Sequence, residues 1–143
     1  STCDMRFCAQ GANFSIKEID IGIVADVGTL QRLPKLISPG LVSELALSGR
    51  NVDASEAERI GLINRAYNSY EEMVDAVSEL AQSIARKSPL AVRGTKEMIR
   101  YSRDHSVEDA LNYVATWNAG MLSQEDAMLA ISSAPGESPD FKD

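Results

Sequence analysis

The feature that most constrains the fold is a series of helix-start signals that begins at residue 53. Asp53 with Glu56, and Ser69 with Glu72, have the spacing of capping boxes. Ser88-Pro89 and Ser106 with Asp109 open two further segments. Apolar residues then recur at helical spacing: Met73, Val74, Val77, Leu80, Ala81 and Ile84; Val92, Thr95 and Ile99; Val107, Leu111, Val114, Trp117 and Met121. This part is predicted to be almost entirely amphipathic helix, with stripes that indicate core or subunit contacts.

The first 68 residues have a different pattern. "DMRFCAQGANFSI" predicts two short strands around Gln10-Gly11, with β-prone, half-buried positions at Phe7, Phe14 and Ile16. A short helix near "GTLQRLPK" is limited by Pro34, and another runs from Ser38-Pro39 to Gly49. "LINRAY" predicts one more strand. The fold class is therefore α/β.

Composition excludes some functions. With 14 basic and 21 acidic residues the net charge is −7, which argues against binding to a nucleic-acid backbone. No apolar run reaches the ~20 residues of a membrane-spanning helix. Cys3 and Cys8 lack metal-ligand spacing, and free buried thiols are predicted, with a disulfide as the alternative.

Three carboxylates lie in the mostly apolar segment "SIKEIDIGIVADVGTLQRLPK", residues 15–35. They are Glu18, Asp20 and Asp26. Asp20 is expected to face solvent or to cap a turn. A Mg²⁺ or Ca²⁺ cluster of all three is an alternative, although their spacing matches no recognised loop.

The chain resembles the crotonase (enoyl-CoA hydratase/isomerase) family over essentially its whole length. The residues that carry the resemblance are the "FSIKE…G…GTLQRL" run, "SGRNVDASEAERIGLINRAY" and "ARKSPLAVRGTKEMI". The resemblance implies the C-terminal half of a crotonase ββα-spiral fold. Residues 1–68 would be the C-terminal part of the spiral core with the active-site carboxylates. Residues 69–143 would be a helical trimerisation region and tail.

Within the family, the chain is most similar to the 3,5-dienoyl-CoA to 2,4-dienoyl-CoA isomerases. The features are "KEIDIGIVADVGTLQRLPK", "YSRDHSVEDALNYVATWN" and the pair Glu18 and Asp26. Hydratases generally match Glu18 but carry a small residue around Asp26. The resemblance implies that Glu18 and Asp26 are catalytic, moving protons at C2 and C6 of the acyl chain. Glu18 is assigned to C2, although the order could be reversed. Both are expected to be partly desolvated, which strengthens a carboxylate as a base.

The resemblance also implies the ligands and the assembly. The substrate is an acyl-CoA thioester in fatty-acid β-oxidation, no separate cofactor or metal is implied, and the protein is expected to be a homotrimer or hexamer. Phe141 and Lys142 match a tail motif that lies near CoA in relatives. The oxyanion hole belongs to an N-terminal portion that has no match here, so the chain alone is expected to be inactive. Localisation would be cytoplasmic if bacterial, and mitochondrial or peroxisomal if eukaryotic.

Two other functions remain open. An enoyl-CoA hydratase, or another crotonase acting on acyl-CoA, would need no acid at position 26. A helical assembly module would need no chemistry at all. His105 is expected to be a helix-boundary residue, and Tyr113 and Trp117 are expected to pack or to contact a subunit.

Overall fold

The structure is a computed structural model, and it describes residues 1–134 and 139–141. The described chain forms two compact units, Ser1–Val77 and Ser78–Asp143. The boundary lies inside a helix, so the division at residue 68 stays a prediction about functional organisation.

The first unit contains two small sheets. Its strands are β1 (Phe7–Ala9), β2 (Asn13–Phe14), β3 (Val52–Asp53) and β4 (Arg65–Tyr67). β1 pairs in parallel with β4, with Cys8 opposite Ala66. β2 pairs antiparallel with β3, with Phe14 opposite Val52. The predicted strands around Gln10-Gly11 are thus present, but they do not pair with each other, because each has a partner from beyond residue 50.

Three helices fill the connection between these strands. They are α1 (Thr29–Arg32), α2 (Pro39–Ser48) and α3 (Ala54–Arg59), with short 3₁₀ turns at Glu18–Ile21 and Leu33–Lys35. Pro34 lies in the second turn, where it limits α1 as predicted. The core that these elements enclose consists of Cys8, Ile16, Ala25, Leu33, Ile37, Val42, Leu45, Val52, Ala54, Ala57 and Ile63.

The predicted helix starts are confirmed. The Ser38 and Ser88 hydroxyls accept from backbone N–H groups of Leu41 and Ala91, and the Asp53 carboxylate accepts from Glu56. The same pattern occurs at Ser69 and Ser106. These bonds satisfy N–H groups that the first turn of a helix leaves unpaired. The remaining helices are α4 (Tyr70–Ala85), α5 (Pro89–Tyr101), α6 (Val107–Met121) and α7 (Gln124–Ser132).

Burial differs sharply between the two units. Among the described residues, all of the buried apolar side chains belong to positions 8–67. The stripe on α6 is only half-buried at Val114 and Trp117 and is exposed at Val107, Leu111 and Met121. The helical stripes therefore form no enclosed core of their own within the described chain.

The cysteines differ in part from the prediction. Both are free, but only Cys8 is buried, and Cys3 is exposed. Cys8 lies on β1 and packs into the core, where burial raises the pKa of its thiol. Cys3 precedes the first strand, so no element covers it. None of the helices in the described ranges is long and apolar enough to span a membrane.

The Arg50 side chain links α2 to α3. Its guanidinium donates two hydrogen bonds of 2.8 Å to the Glu56 carboxylate and one of 2.7 Å to Glu44. The bond to Arg50 is the main cause of a lowered pKa at the Glu56 carboxyl. A carboxyl with a lowered pKa stabilises the fold above its ordinary pKa of 4.5, and this contribution is lost as pH falls through the lowered value.

We therefore expect Glu56→Gln to lower the urea midpoint of unfolding at about pH 7 and to lower it less at about pH 3, because the ion pair is lost as pH falls through the lowered pKa of the Glu56 carboxyl. The control is Glu79→Gln, which neutralises an exposed carboxylate in the middle of α4 and should leave the midpoint unchanged at both pH values. An equal loss at both pH values for Glu56→Gln would contradict the assigned role of the ion pair.

Candidate active site

Glu18 begins the 3₁₀ turn Glu18–Ile21, directly after the chain leaves the core. Ile16 is buried and holds the start of the segment. The turn ends at Gly22, whose φ of +77° lies in the left-handed region that glycine adopts without strain. The Ile23 N–H then donates to the Glu18 carbonyl at 3.1 Å. These contacts place a half-buried Glu18 side chain at the edge of the core.

Asp26 lies in the loop between a buried residue, Ala25, and helix α1. The loop is closed by Arg32, whose guanidinium donates to the Val27 carbonyl at 2.6 Å. Gly28, with φ +84°, precedes α1, and a Cβ at this position would overlap the Arg32 guanidinium. Because Gly28 has no side chain, there is room for the Arg32 guanidinium, whose hydrogen bond to the Val27 carbonyl fixes the backbone next to Asp26.

The segments that carry the two carboxylates meet at one cavity of about 150 Å³ in the first unit. Ser15 and Ile16, just before Glu18, line one part of it, and Thr29, just after Asp26, lines another. The rest of the lining is mainly apolar: Ser1, Phe14, Leu33, Leu45, Val52 and Leu62. Glu18 and Asp26 are not among the residues that line this cavity, so the structure brings residues near both carboxylates, and not the carboxylates themselves, to one apolar depression.

One expectation about the site is wrong for the described chain. Both carboxylates were expected to be partly desolvated, but only Glu18 is half-buried, and Asp26 is exposed. The apolar side chains next to Asp26 are exposed too, with Val24 at 75%. They cannot form an apolar medium because no described element packs over the loop.

Asp20 lies on the same turn as Glu18 and faces solvent, as expected. Its carboxylate is 3.2 Å from the Lys17 ammonium group, and its side chain is half exposed. Among the described residues, no group of three His, Cys, Asp or Glu side chains is arranged to hold a metal ion. The carboxylates in this segment therefore do not share one centre.

The tail residues predicted to bind substrate lie in the second unit. Phe141 is half-buried and lines a cavity of about 210 Å³ together with Trp117, Met121 and Ala127. Lys142 lies outside the described residues. The Trp117 and Tyr113 rings pack edge to face with centroids 6.2 Å apart, which agrees with their predicted packing role.

His105 lies between α5 and α6, at the predicted helix boundary. Its ring stacks on Tyr101 with centroids 3.6 Å apart, and its Nδ1 is 2.8 Å from the Tyr101 carbonyl oxygen. Both contacts tie the interhelical turn to the last residue of α5.

Two residues that matter for the site were not singled out from the sequence. Lys17 and Arg32 fix the backbone beside Glu18 and Asp26 through hydrogen bonds to main-chain carbonyls. For Lys17 the available signal was its position directly before Glu18. Its partner is the carbonyl of Gly49, 32 positions along the chain, and no local pattern predicts that contact.

Comparison with known proteins adds a family match. Residues 1–133 match the family described as "Enoyl-CoA hydratase/isomerase". The chain is 51% identical over 135 residues to a mitochondrial Delta(3,5)-Delta(2,4)-dienoyl-CoA isomerase of Pongo abelii, covering 94% of this chain and 41% of the relative. It is 47% identical over 133 residues to a peroxisomal protein of the same name from Arabidopsis thaliana, covering 93% of this chain and 48% of the relative.

More distant relatives differ in their named activity. A carnitinyl-CoA dehydratase of Salmonella arizonae is 35% identical, with 97% of this chain and 55% of the relative covered. Among solved structures, an enoyl-CoA hydratase from Bacillus anthracis superposes with a TM-score of 0.91 at 28% identity, over 98% of this chain and 54% of that chain. The chain therefore spans about half the length of the relatives it matches.

Proposed function

Because the chain belongs to the enoyl-CoA hydratase/isomerase family and has its crotonase fold, we propose that the full-length protein isomerises 3,5-dienoyl-CoA to 2,4-dienoyl-CoA. The observation that carries the proposal is the gradient of similarity. Identity is 41–51% to the relatives named dienoyl-CoA isomerase and 35–37% to those named carnitinyl-CoA dehydratase. The carboxylate pair Glu18 and Asp26 supports the same assignment through the motif that contains it, and residues near both carboxylates line one apolar cavity.

The proposed mechanism is a proton transfer at each end of a conjugated system. The Glu18 carboxylate takes a proton from C2. The electron pair left behind delocalises into the adjacent thioester carbonyl on one side and through the diene to C6 on the other. Asp26 then delivers a proton to C6, which leaves double bonds at C2 and C4. The carboxyl groups exchange their protons with solvent before the next turnover. Two groups are needed because C2 and C6 are too far apart for one carboxylate to reach both.

The charge on the thioester oxygen requires preorganised N–H donors, which usually make the largest contribution to catalysis in such reactions. In the proposed mechanism these donors come from the part of the relatives' length that this chain does not span, as the resemblance to crotonases implies. Phe141 and Lys142 would lie near the CoA part of the substrate, with the Lys142 ammonium available to pair with a phosphate. No cofactor apart from the CoA of the substrate is part of the proposal.

A hydratase is the second candidate, favoured by the superposition on the solved enoyl-CoA hydratase. The two activities differ in mass balance, because isomerisation leaves the mass of the substrate unchanged and hydration adds one water. The full-length protein should convert 3,5-dienoyl-CoA into a product of equal mass, as measured by mass spectrometry, and faster than it hydrates a 2-enoyl-CoA. Faster hydration would favour the hydratase. Absence of both reactions would favour an assembly module.

We also propose that the full-length protein is a trimer or hexamer. The stripe on α6 exposes Val107, Leu111 and Met121, and in water such a surface is normally covered by a partner. Light scattering at micromolar concentration should give three or six times the chain mass. A monomer would contradict the proposal.

A further inference from the structure

The turn that carries Glu18 has little to hold it in place by itself. It is four residues long, and a 3₁₀ turn of this length has few hydrogen bonds of its own. Its apolar members, Ile19 and Ile21, are exposed and contribute little packing. A general base must nevertheless be held close to one geometry, since a displacement of 1 Å can cost about 10²-fold in rate. The geometry of Glu18 must therefore be fixed from outside the turn.

Lys17 supplies such a constraint. Its ammonium group donates to the Gly49 carbonyl oxygen at 2.6 Å and also lies 3.2 Å from the Asp20 carboxylate. Lys17 and Asp20 stand on either side of Glu18 and Ile19, so the ammonium group ties the residue before Glu18 and a residue within the turn to one point. A charged donor makes such a hydrogen bond shorter and stronger than a neutral one.

The point of attachment is itself well fixed. Gly49 ends α2, and its N–H donates to the Leu45 carbonyl at 3.0 Å. Leu45 and Val42 on that helix are buried in the core. A Cβ at Gly49 would lie 2.8 Å from the Asp20 carboxylate, so the carboxylate packs directly against the glycine backbone. The turn is thus attached to the end of a helix whose Val42 and Leu45 side chains are buried in the core.

We propose that Lys17 is a positioning residue for Glu18, acting together with Asp20 through the Gly49 carbonyl. This inference rests on the proposed role of Glu18 as the group that takes the proton from C2. The Lys17 and Asp20 side chains are 56% and 50% exposed. An ion pair at that exposure contributes little to overall stability. Loss of Lys17 should therefore change the geometry of the turn while the protein stays folded.

The test is Lys17→Met in the full-length protein, assayed with 3,5-dienoyl-CoA. We expect kcat to fall by about 10- to 100-fold with KM changed less than about twofold, because the lost contact orients a reacting group and binds no substrate. Lys17→Arg keeps a charged donor and should recover most of the loss. Lys35→Met removes the same charge from another exposed lysine of the first unit and should leave kcat unchanged.

Other results would overturn the inference. A raised KM with unchanged kcat would make Lys17 a substrate-binding residue. A Lys17→Met protein that loses its folded circular dichroism spectrum would make it a general stabilising residue. Normal activity of Lys17→Met beside an inactive Glu18→Gln would reject the positioning role and leave the proposed function intact. Normal activity of Glu18→Gln would reject both.

Discussion

Glu18→Gln and Asp26→Asn should each lower kcat for 3,5-dienoyl-CoA isomerisation by about 10²–10⁴-fold in the full-length protein, the usual contribution of a positioned acid or base. Each substitution keeps the size of the side chain and removes its ability to exchange a proton. Neither residue belongs to the buried core, so folding should be unaffected. The measurement is steady-state kinetics, with circular dichroism as the check on folding.

Matched controls lie on the surface of α4. Glu71→Gln and Asp75→Asn make the same chemical changes at exposed positions and should leave kcat unchanged. The two site variants report on different parts of the proposal. Near-full isomerase activity of Asp26→Asn would mean that Asp26 is not the acid that protonates C6.

The second large effect concerns the core of the first unit. Leu45 is 3% exposed and packs on α2 against the other core residues. Leu45→Ala should lower the free energy of unfolding by about 2–5 kcal/mol, the cost of lost burial together with the cavity that remains. This is a large part of the ~5–15 kcal/mol that separates a typical folded domain from its unfolded chain. Urea titration gives the value.

Leu47 provides the control, because it lies on the same helix and is 75% exposed. Leu47→Ala removes the same atoms from a position without enclosing neighbours and should change the free energy by less than about 0.5 kcal/mol. Equal effects of the two substitutions would contradict the described burial of α2. Leu45 lies one helical turn before Gly49, whose carbonyl accepts the hydrogen bond from Lys17. Truncation of Leu45 should therefore also loosen the attachment of the Glu18 turn to α2.

Helix starts could be predicted from the sequence because capping is local. The Ser38, Asp53, Ser69, Ser88 and Ser106 side chains each accept from a backbone N–H three residues further on. Such a bond depends on a few consecutive residues and little else. The glycines that end segments are predictable for the same reason, since Gly49 and Gly61 both have positive φ.

The candidate carboxylates were also found from the sequence, although by a different route. Nothing in the spacing of Glu18 and Asp26 alone distinguishes them from surface charges, and it was the surrounding family motif that identified them. Their environment did not follow from the motif. Asp26 is exposed beside Val24 in the described chain, whereas the apolar composition of the segment suggested enclosure.

The sequence by itself determined helices α1 to α6 and the two candidate carboxylates, because each depends on neighbouring residues or on a contiguous motif. Only the tertiary structure decided which strands pair, which apolar residues are buried and what holds the site. β1 pairs with β4 across 58 positions, and Lys17 binds Gly49 across 32. Such contacts form when the chain closes long loops around a common core. The entropy cost of loop closure is offset by the burial of all the core side chains together. No short stretch of sequence contains that information.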